Sequence, residues 1–172
     1  MMKNYFTNRH LMICLMALSS IMATADTLTL RNLFIEMPEE VIPYLTKTNR
    51  LDFIDFMDSN MKAEVTNELG GKSVMKALGN DSLSIRLNEA CSIEMLLLDT
   101  TQPMDSARQV IALFRTFGWE GNIMETDLEF YTVKWRKLTD IPPLMPADER
   151  RIQESVKVSN ILKLLKEKLN KE

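Results

Sequence analysis

Leu83-Ser84-Ile85-Arg86-Leu87 and, four residues on, Cys91-Ser92-Ile93-Glu94-Met95-Leu96-Leu97 decide the fold. In both, apolar residues alternate with polar ones, and a period of two sends successive side chains to opposite faces of an extended chain. They read as two neighbouring strands. Upstream, Gly79-Asn80-Asp81 marks a turn, and Ala63 to Leu69, Gly70-Gly71 and Lys72 to Leu78 read as a hairpin whose glycines supply the positive φ of its turn. Downstream, Asp99 to Ser106 reads as a loop. Ala107 to Phe117 and Asp127 to Trp135, rich in Val, Ile, Phe, Tyr and Trp, read as two further strands around a Gly118 to Gly121 turn region. The sum is an antiparallel meander of about six strands.

The segment before the sheet has helical spacing. Leu30, Leu33, Phe34 and Met37 fall at i, i+3, i+4 and i+7, Thr27 or Thr29 can cap the stripe, and Pro38 ends it. Glu39 to Leu45 has room for another turn or two, although Pro43 lacks a backbone donor. A second helix is predicted from Asn49, as cap, to about Asn60. Phe53, Phe56 and Met57 lie on one side, with Asp52, Asp55 and Ser59 on the other. After the sheet, Ile141-Pro142-Pro143-Leu144-Met145-Pro146 is an extended spacer. A charged C-terminal helix follows, with Asp148 as its cap and Val158, Ile161, Leu162, Leu165 and Leu169 as its stripe. The fold class is therefore α+β, with N-terminal helices packed on an antiparallel meander sheet and a charged C-terminal helix.

The chain begins as an exported protein does. Lys3, Arg9 and His10 precede an apolar run from Leu11 to Met22, and Ala23-Thr24-Ala25 follows, which is the order of a secretory signal peptide. The run is far shorter than the roughly 20 residues of a membrane-spanning helix, so no stable span is expected after cleavage. The organisation expected is a signal at 1–25, a single α+β domain at 26–140, and a proline-rich spacer with the C-terminal helix at 141–172. The localisation expected is periplasmic or extracellular.

Cleavage also removes chemistry. The whole chain has a net charge of −3 with one histidine and two cysteines. Lys3, Arg9, His10 and Cys14 all leave with the signal, so the remainder is more acidic, free of histidine, and has Cys91 as its single thiol. That excludes an intramolecular disulfide, Ser-His and Cys-His catalysis, and histidine metal sites. The clustered excess of Lys and Arg that nucleic acid requires is missing too. Cys91 shares its strand phase with Ile93 and Met95 and should face the core, where a thiol is unreactive.

Short motifs do not restore an activity. Gly71-Lys72-Ser73 resembles the end of a phosphate-binding loop, but Thr66 stands where its first glycine belongs. Ser73-Val74-Met75-Lys76 has the S-x-x-K spacing of penicillin-recognising enzymes, yet a strand sends third neighbours to opposite faces. Asp52, Asp55 and Asp58 read as a solvated helix face. Trp119, Trp135, Tyr131 and Phe130 read as core and cross-strand aromatics, with a glycan or peptide groove as the alternative. No catalytic, cofactor-binding or metal-binding residue is assigned, and no cofactor is expected.

Asp26-Thr27-Leu28, Asp81-Ser82-Leu83, Asp99-Thr100-Thr101 and Asp105-Ser106-Ala107 resemble the acceptor motif of general protein O-glycosylation in exported proteins of the Bacteroidales. Thr27, Ser82, Thr100 and Ser106 are the candidate acceptors. The other reading of these pairs is local hydrogen bonding at turns and caps. Leu33-Phe34-Ile35-Glu36-Met37-Pro38, Pro43-Tyr44-Leu45-Thr46, Asn49-Arg50-Leu51-Asp52, Gln109-Val110-Ile111, Glu129-Phe130-Tyr131 and Trp135 resemble a family of small exported Bacteroidales proteins of unknown function, over about residues 28–138. The resemblance implies export and a single domain, and it brings no activity. The function expected is that of a non-catalytic envelope module binding an envelope protein or glycan. The alternative is an Asp/Glu-dependent hydrolase. Intact-mass measurement of the natively exported protein should give a chain starting at Asp26, and a mass that includes residues 1–25 would contradict the signal reading.

Overall fold

The computed structural model describes residues 28–119 and 122–156. Two helices, α1 (Leu30–Ile35) and α2 (Lys47–Asp58), precede six strands: β1 (Glu64–Thr66), β2 (Lys72–Leu78), β3 (Ser82–Arg86), β4 (Cys91–Met104), β5 (Ala107–Trp119) and β6 (Asn122–Thr132). The strands form one sheet in sequence order, every neighbour antiparallel. This is the six-stranded meander of an α+β fold that the alternation predicts.

Register separates the two faces. On the first, Ile85, Ile93, Met95, Leu97, Ile111, Leu113 and Tyr131 form one apolar cluster with Leu30, Leu33 and Phe34 of α1 and Phe53 and Ile54 of α2. On the second, Leu96, Leu98, Val110, Ala112, Phe114 and Phe130 pack with Leu144, with Leu138, Ile152 and Val156 against their margin. Consecutive apolar residues such as Leu96-Leu97-Leu98 mark strands covered on both faces.

Several boundaries differ from the sequence reading. The stretch expected as a loop from Asp99 is mostly strand, since β4 continues to Met104, which pairs with Ala107 across an irregularity in register. Asp105 and Ser106 alone make the turn, with φ of 50° and 74°, the two positive values of a tight hairpin turn. β6 begins at Asn122 and ends at Thr132, so Trp135 lies beyond it in a turn with φ 61°. Thr46, not Asn49, caps α2. The Thr46 hydroxyl accepts from the Asn49 amide at 3.1 Å and the Asn49 side chain accepts from the Thr46 amide at 3.2 Å, a reciprocal capping box.

The C-terminal helix, α3, is short over the described residues, 146–156. It starts at Pro146, whose missing donor is harmless in a first turn, and Asp148 does not cap it. Instead the Asp148 carboxylate accepts from the Asp99 amide at 2.9 Å and from Arg151 at 3.0 Å. The stripe expected from Val158 to Leu169 and the signal expected at 1–25 both lie outside the described residues. The proline-rich stretch before α3 is extended and pinned to β4. The Thr101 amide donates to Pro143 at 2.8 Å, the Met145 amide to Asp99 at 2.9 Å, and Thr100 bridges Leu144.

Between α1 and α2 the chain turns through two prolines, leaving carbonyls with few main-chain donors. Side chains from elsewhere satisfy them. Arg50, 2% exposed, donates to the carbonyls of Leu45 (2.7 Å), Met37 (2.6 Å) and Ile35 (3.3 Å). Trp135 Nε1 donates to Leu33 at 3.0 Å, and Arg115 Nη2 to Val41 at 2.9 Å. Burial lowers the Arg50 pKa, opposed by the charges of Glu39 and Glu36. Replacing Arg50 with Met would strand these carbonyls, so the variant should lose about 3 kcal/mol of unfolding free energy in urea titrations. A loss below about 0.5 kcal/mol would show that this hydrogen bonding is dispensable.

Candidate binding surfaces

The best-built polar cluster lies where β5 and β6 meet on the first face. The Glu129 carboxylate accepts from Tyr131 at 2.7 Å and also from Arg115 and Lys137. Asp127 lies 3.6 Å from Arg115. Partial burial pushes the Glu129 carboxyl upward, but the bonds from Lys137, Arg115 and Tyr131 outweigh it and bring the pKa down to about 2. The same site raises the Tyr131 pKa, through burial and through its bond to Glu129. A carboxylate bound on all sides, and ionised throughout the ordinary pH range, is a structural clamp rather than a proton donor.

That clamp steadies the outer edge of the sheet. The Phe130 carbonyl accepts from Leu138 at 2.8 Å and the Thr132 amide donates to Arg136 at 2.9 Å, so the even-numbered residues of β6 turn their backbone groups away from β5. Further up the strand, the outward N–H and C=O of Thr126 and Leu128 have no main-chain partner among the described residues. Glu125 and Asp127 flank them, both exposed.

Among the described residues, grooves open elsewhere. One of about 530 Å³ is lined by Gly71, Lys72, Arg86, Asn88, Glu89 and Ala90. Another, about 360 Å³, has Glu39, Glu40 and Glu68 around Pro43 and Thr46. On the second face Glu94 is half-buried; burial raises its pKa, and the charge of Arg151 opposes the shift. Arg151 also pairs with Asp81 and Asp148, each at 3.0 Å. No group of three His, Cys, Asp or Glu side chains among the described residues could hold a metal ion.

The candidate acceptors fall at separate places. Ser106 is exposed in the β4–β5 turn, and Ser82 is half-buried at the start of β3, its carbonyl accepting from Gly79 at 2.7 Å. Thr100 is 2% exposed and its hydroxyl donates to the Gln102 carbonyl at 2.6 Å. Thr27 lies outside the described residues. Each described Asp-Ser/Thr pair thus has a local structural role.

The dismissed motifs are also placed. Ser73 is fully buried and donates to the Leu87 carbonyl at 2.7 Å, whereas Lys76 is exposed. Asn67 closes this hairpin, accepting from the Leu69 and Gly71 amides, both at 3.1 Å, and donating to Ser73 and Leu87. Gly70 holds φ 78° at its turn. Asp58 is paired with Arg31 at 2.6 Å. Cys91 is half-buried at the margin of the first cluster, and burial raises its thiol pKa, opposed by the charge of Arg115. Tyr131 and Trp135 pack with ring centroids 5.7 Å apart, while the side chain of Trp119 lies outside what the structure describes.

A family described as "Protein of unknown function (DUF3256)" matches residues 21–160. The chain belongs to the DUF3256 family. Among solved structures, this DUF3256 chain is similar to a domain of an uncharacterized protein from Porphyromonas gingivalis W83. The TM-score is 0.51 and the identity 22%, over 64% of this chain and 53% of that one. The likeness is one of fold, and the match spans about half of that chain's length. No curated protein matches the sequence.

The clamp makes acid stability testable. Folding lowers the Glu129 pKa from 4.5 to about 2. Its contribution is therefore complete above about pH 4.5 and is lost as pH falls towards 2. Between pH 5 and pH 2 the wild-type chain should lose roughly 1–3 kcal/mol more stability than Glu129→Gln. Parallel acid limbs for the two proteins would contradict the clamp.

Proposed function

We propose that this DUF3256 protein is an exported, non-catalytic module of the cell envelope that binds a partner protein by strand addition at β6. The signal-like order of residues 1–25 supports export to the periplasm or cell surface. The observation that carries the binding reading is the pair of outward-facing residues Thr126 and Leu128, whose backbone groups lack partners among the described residues. An open edge is a template for another strand. Glu125 and Asp127 bias the choice. In antiparallel self-pairing through this edge the acidic odd-numbered residues of one copy would face those of the other, and opposed like charges are unfavourable. The edge therefore suits a partner strand carrying Lys or Arg at alternate positions.

The second reading, an Asp/Glu-dependent hydrolase, draws on one feature: Glu94 is half-buried with its carboxyl raised, as a general acid's would be. O-glycosylation is compatible with either reading. Ser106 is the accessible acceptor in the folded chain, and Thr100 is reachable only before β4 meets the 143–145 segment.

Thr126→Pro removes one outward donor without touching the bonds to β5. In a complex recovered from solubilised native envelope, the Thr126 and Leu128 amides should become protected from hydrogen exchange, and T126P should lose at least tenfold in affinity. A retained partner that leaves both amides unprotected would contradict strand addition. Chemical cleavage of the partner, abolished by Glu94→Gln, would establish the hydrolase instead.

A further inference from the structure

The second face of the sheet is covered unevenly. Its apolar half lies under Leu138, Leu144 and α3. The other half carries a polar row in register across four strands, Arg86, Ser92, Thr116 and Thr126. Neighbouring strands stand about 4.8 Å apart, so the row is about 14 Å long. Arg86 and Ser92 are exposed, and Thr116 and Thr126 are half-buried. The Thr116 and Thr126 hydroxyl oxygens are 3.4 Å apart, and Ser92 is exposed beside them.

At the β3 end this row runs into the groove of about 530 Å³, where Lys72 and Arg86 share the wall with Asn88. Lys72 lies 3.0 Å from the Thr66 hydroxyl and 4.0 Å from Glu64. Glu64 is itself held by Lys62 at 2.5 Å. Arg86 makes no hydrogen bond among the described residues, and its charge, like those of Lys62 and Lys72, lowers the pKa of Glu64. The remaining acids nearby are Glu89 on the groove wall and Glu94 one row towards α3, whose charge faces Arg151. The groove thus presents two cations, with Glu64 beside them and Glu89 on the wall, in a chain whose net charge is negative.

A strip of hydroxyls leading to a pair of cations matches one ligand chemistry: a short sugar chain bearing an anionic group. The hydroxyls exchange hydrogen bonds with sugar hydroxyls, and the guanidinium and ammonium hold the anion. We infer that the half of the second sheet face left open among the described residues binds an acidic oligosaccharide, its anionic group seated between Lys72 and Arg86 and its sugars along Ser92, Thr116 and Thr126. The site is separate from the β6 edge, so either can fail without the other.

Residue-resolved NMR titration of the full exported chain tests this with four probes: tetragalacturonate, a phosphate-bearing maltotetraose, neutral maltotetraose and inorganic phosphate. At least one acidic sugar should shift the Arg86, Ser92 and Thr116 amides. The carboxylate and phosphate arms identify which anion the site takes. Binding should weaken at least tenfold in the K72A/R86A double variant and several-fold in Thr116→Val, with thermal midpoints unchanged because Lys72 and Arg86 are exposed. Failure of both acidic sugars to bind, equal binding of neutral maltotetraose, or undiminished binding by K72A/R86A would overturn the inference. Inorganic phosphate binding as tightly as the sugars would also overturn it, leaving a simple anion site.

Discussion

Everything on the first face of the sheet depends on how the carbonyls between Leu33 and Leu45 are satisfied. Helix α1 has only six residues, too few to satisfy its own ends, and the chain after it turns through Pro38 and Pro43. Three long side chains complete the hydrogen bonding: Trp135 at Leu33, Arg50 at Ile35, Met37 and Leu45, and Arg115 at Val41. They come from the turn after β6, from α2 and from β5. One irregular segment is thereby tied to α2 and to the sheet at several points. The cation of Arg50 suits this role because carbonyl oxygens gathered at a helix end carry partial negative charge.

With the helical segment fixed on one face, the character of the other surfaces follows from strand register. Where β4, β5 and β6 carry apolar residues on both faces, the 138–156 segment covers the second face, held by Asp148 on the Asp99 amide and by the pairing of Pro143 and Met145 with β4. Where the even-numbered positions become Ser92, Thr116 and Thr126, the apolar surface that would attract a cover ends. The polar strip and the open part of β6 therefore lie at the same end of the sheet. The Arg115–Glu129–Lys137 clamp stands beside this edge, so both surfaces proposed for binding adjoin a charge-paired site.

Alternation and turn residues made β1 to β6 and their order legible in the sequence, since a buried sheet face imposes period two wherever it is covered. It failed at strand ends that lack an alternating apolar pattern. Thr100 and Thr101 are held in extended form by the 143–145 segment, and Asn122 to Thr126 pair with β5, which is already in place. Arg50 was illegible for another reason: a charged residue on a helix reads as solvated, and only three-dimensional proximity to unpaired carbonyls makes burial favourable. Asn67 was hidden likewise, its partners Ser73 on β2 and Leu87 just after β3 lying later in the chain. The polar strip on the second face was visible only as the polar half of an alternation, and its continuity across strands comes from register. The signal expected at 1–25 and the candidate acceptor Thr27 lie beyond the described residues.

The unequal covering of the sheet among the described residues, with β6 open at its outer side, is tested most directly by residue-resolved hydrogen exchange of the free chain under native conditions. Asp127 and Glu129, whose amides face β5, should exchange slowly. Thr126 and Leu128, facing outward, should exchange at least a hundredfold faster. Uniformly slow exchange along all four positions would contradict an open edge and would mean that another part of the chain, or a second copy, already occupies it.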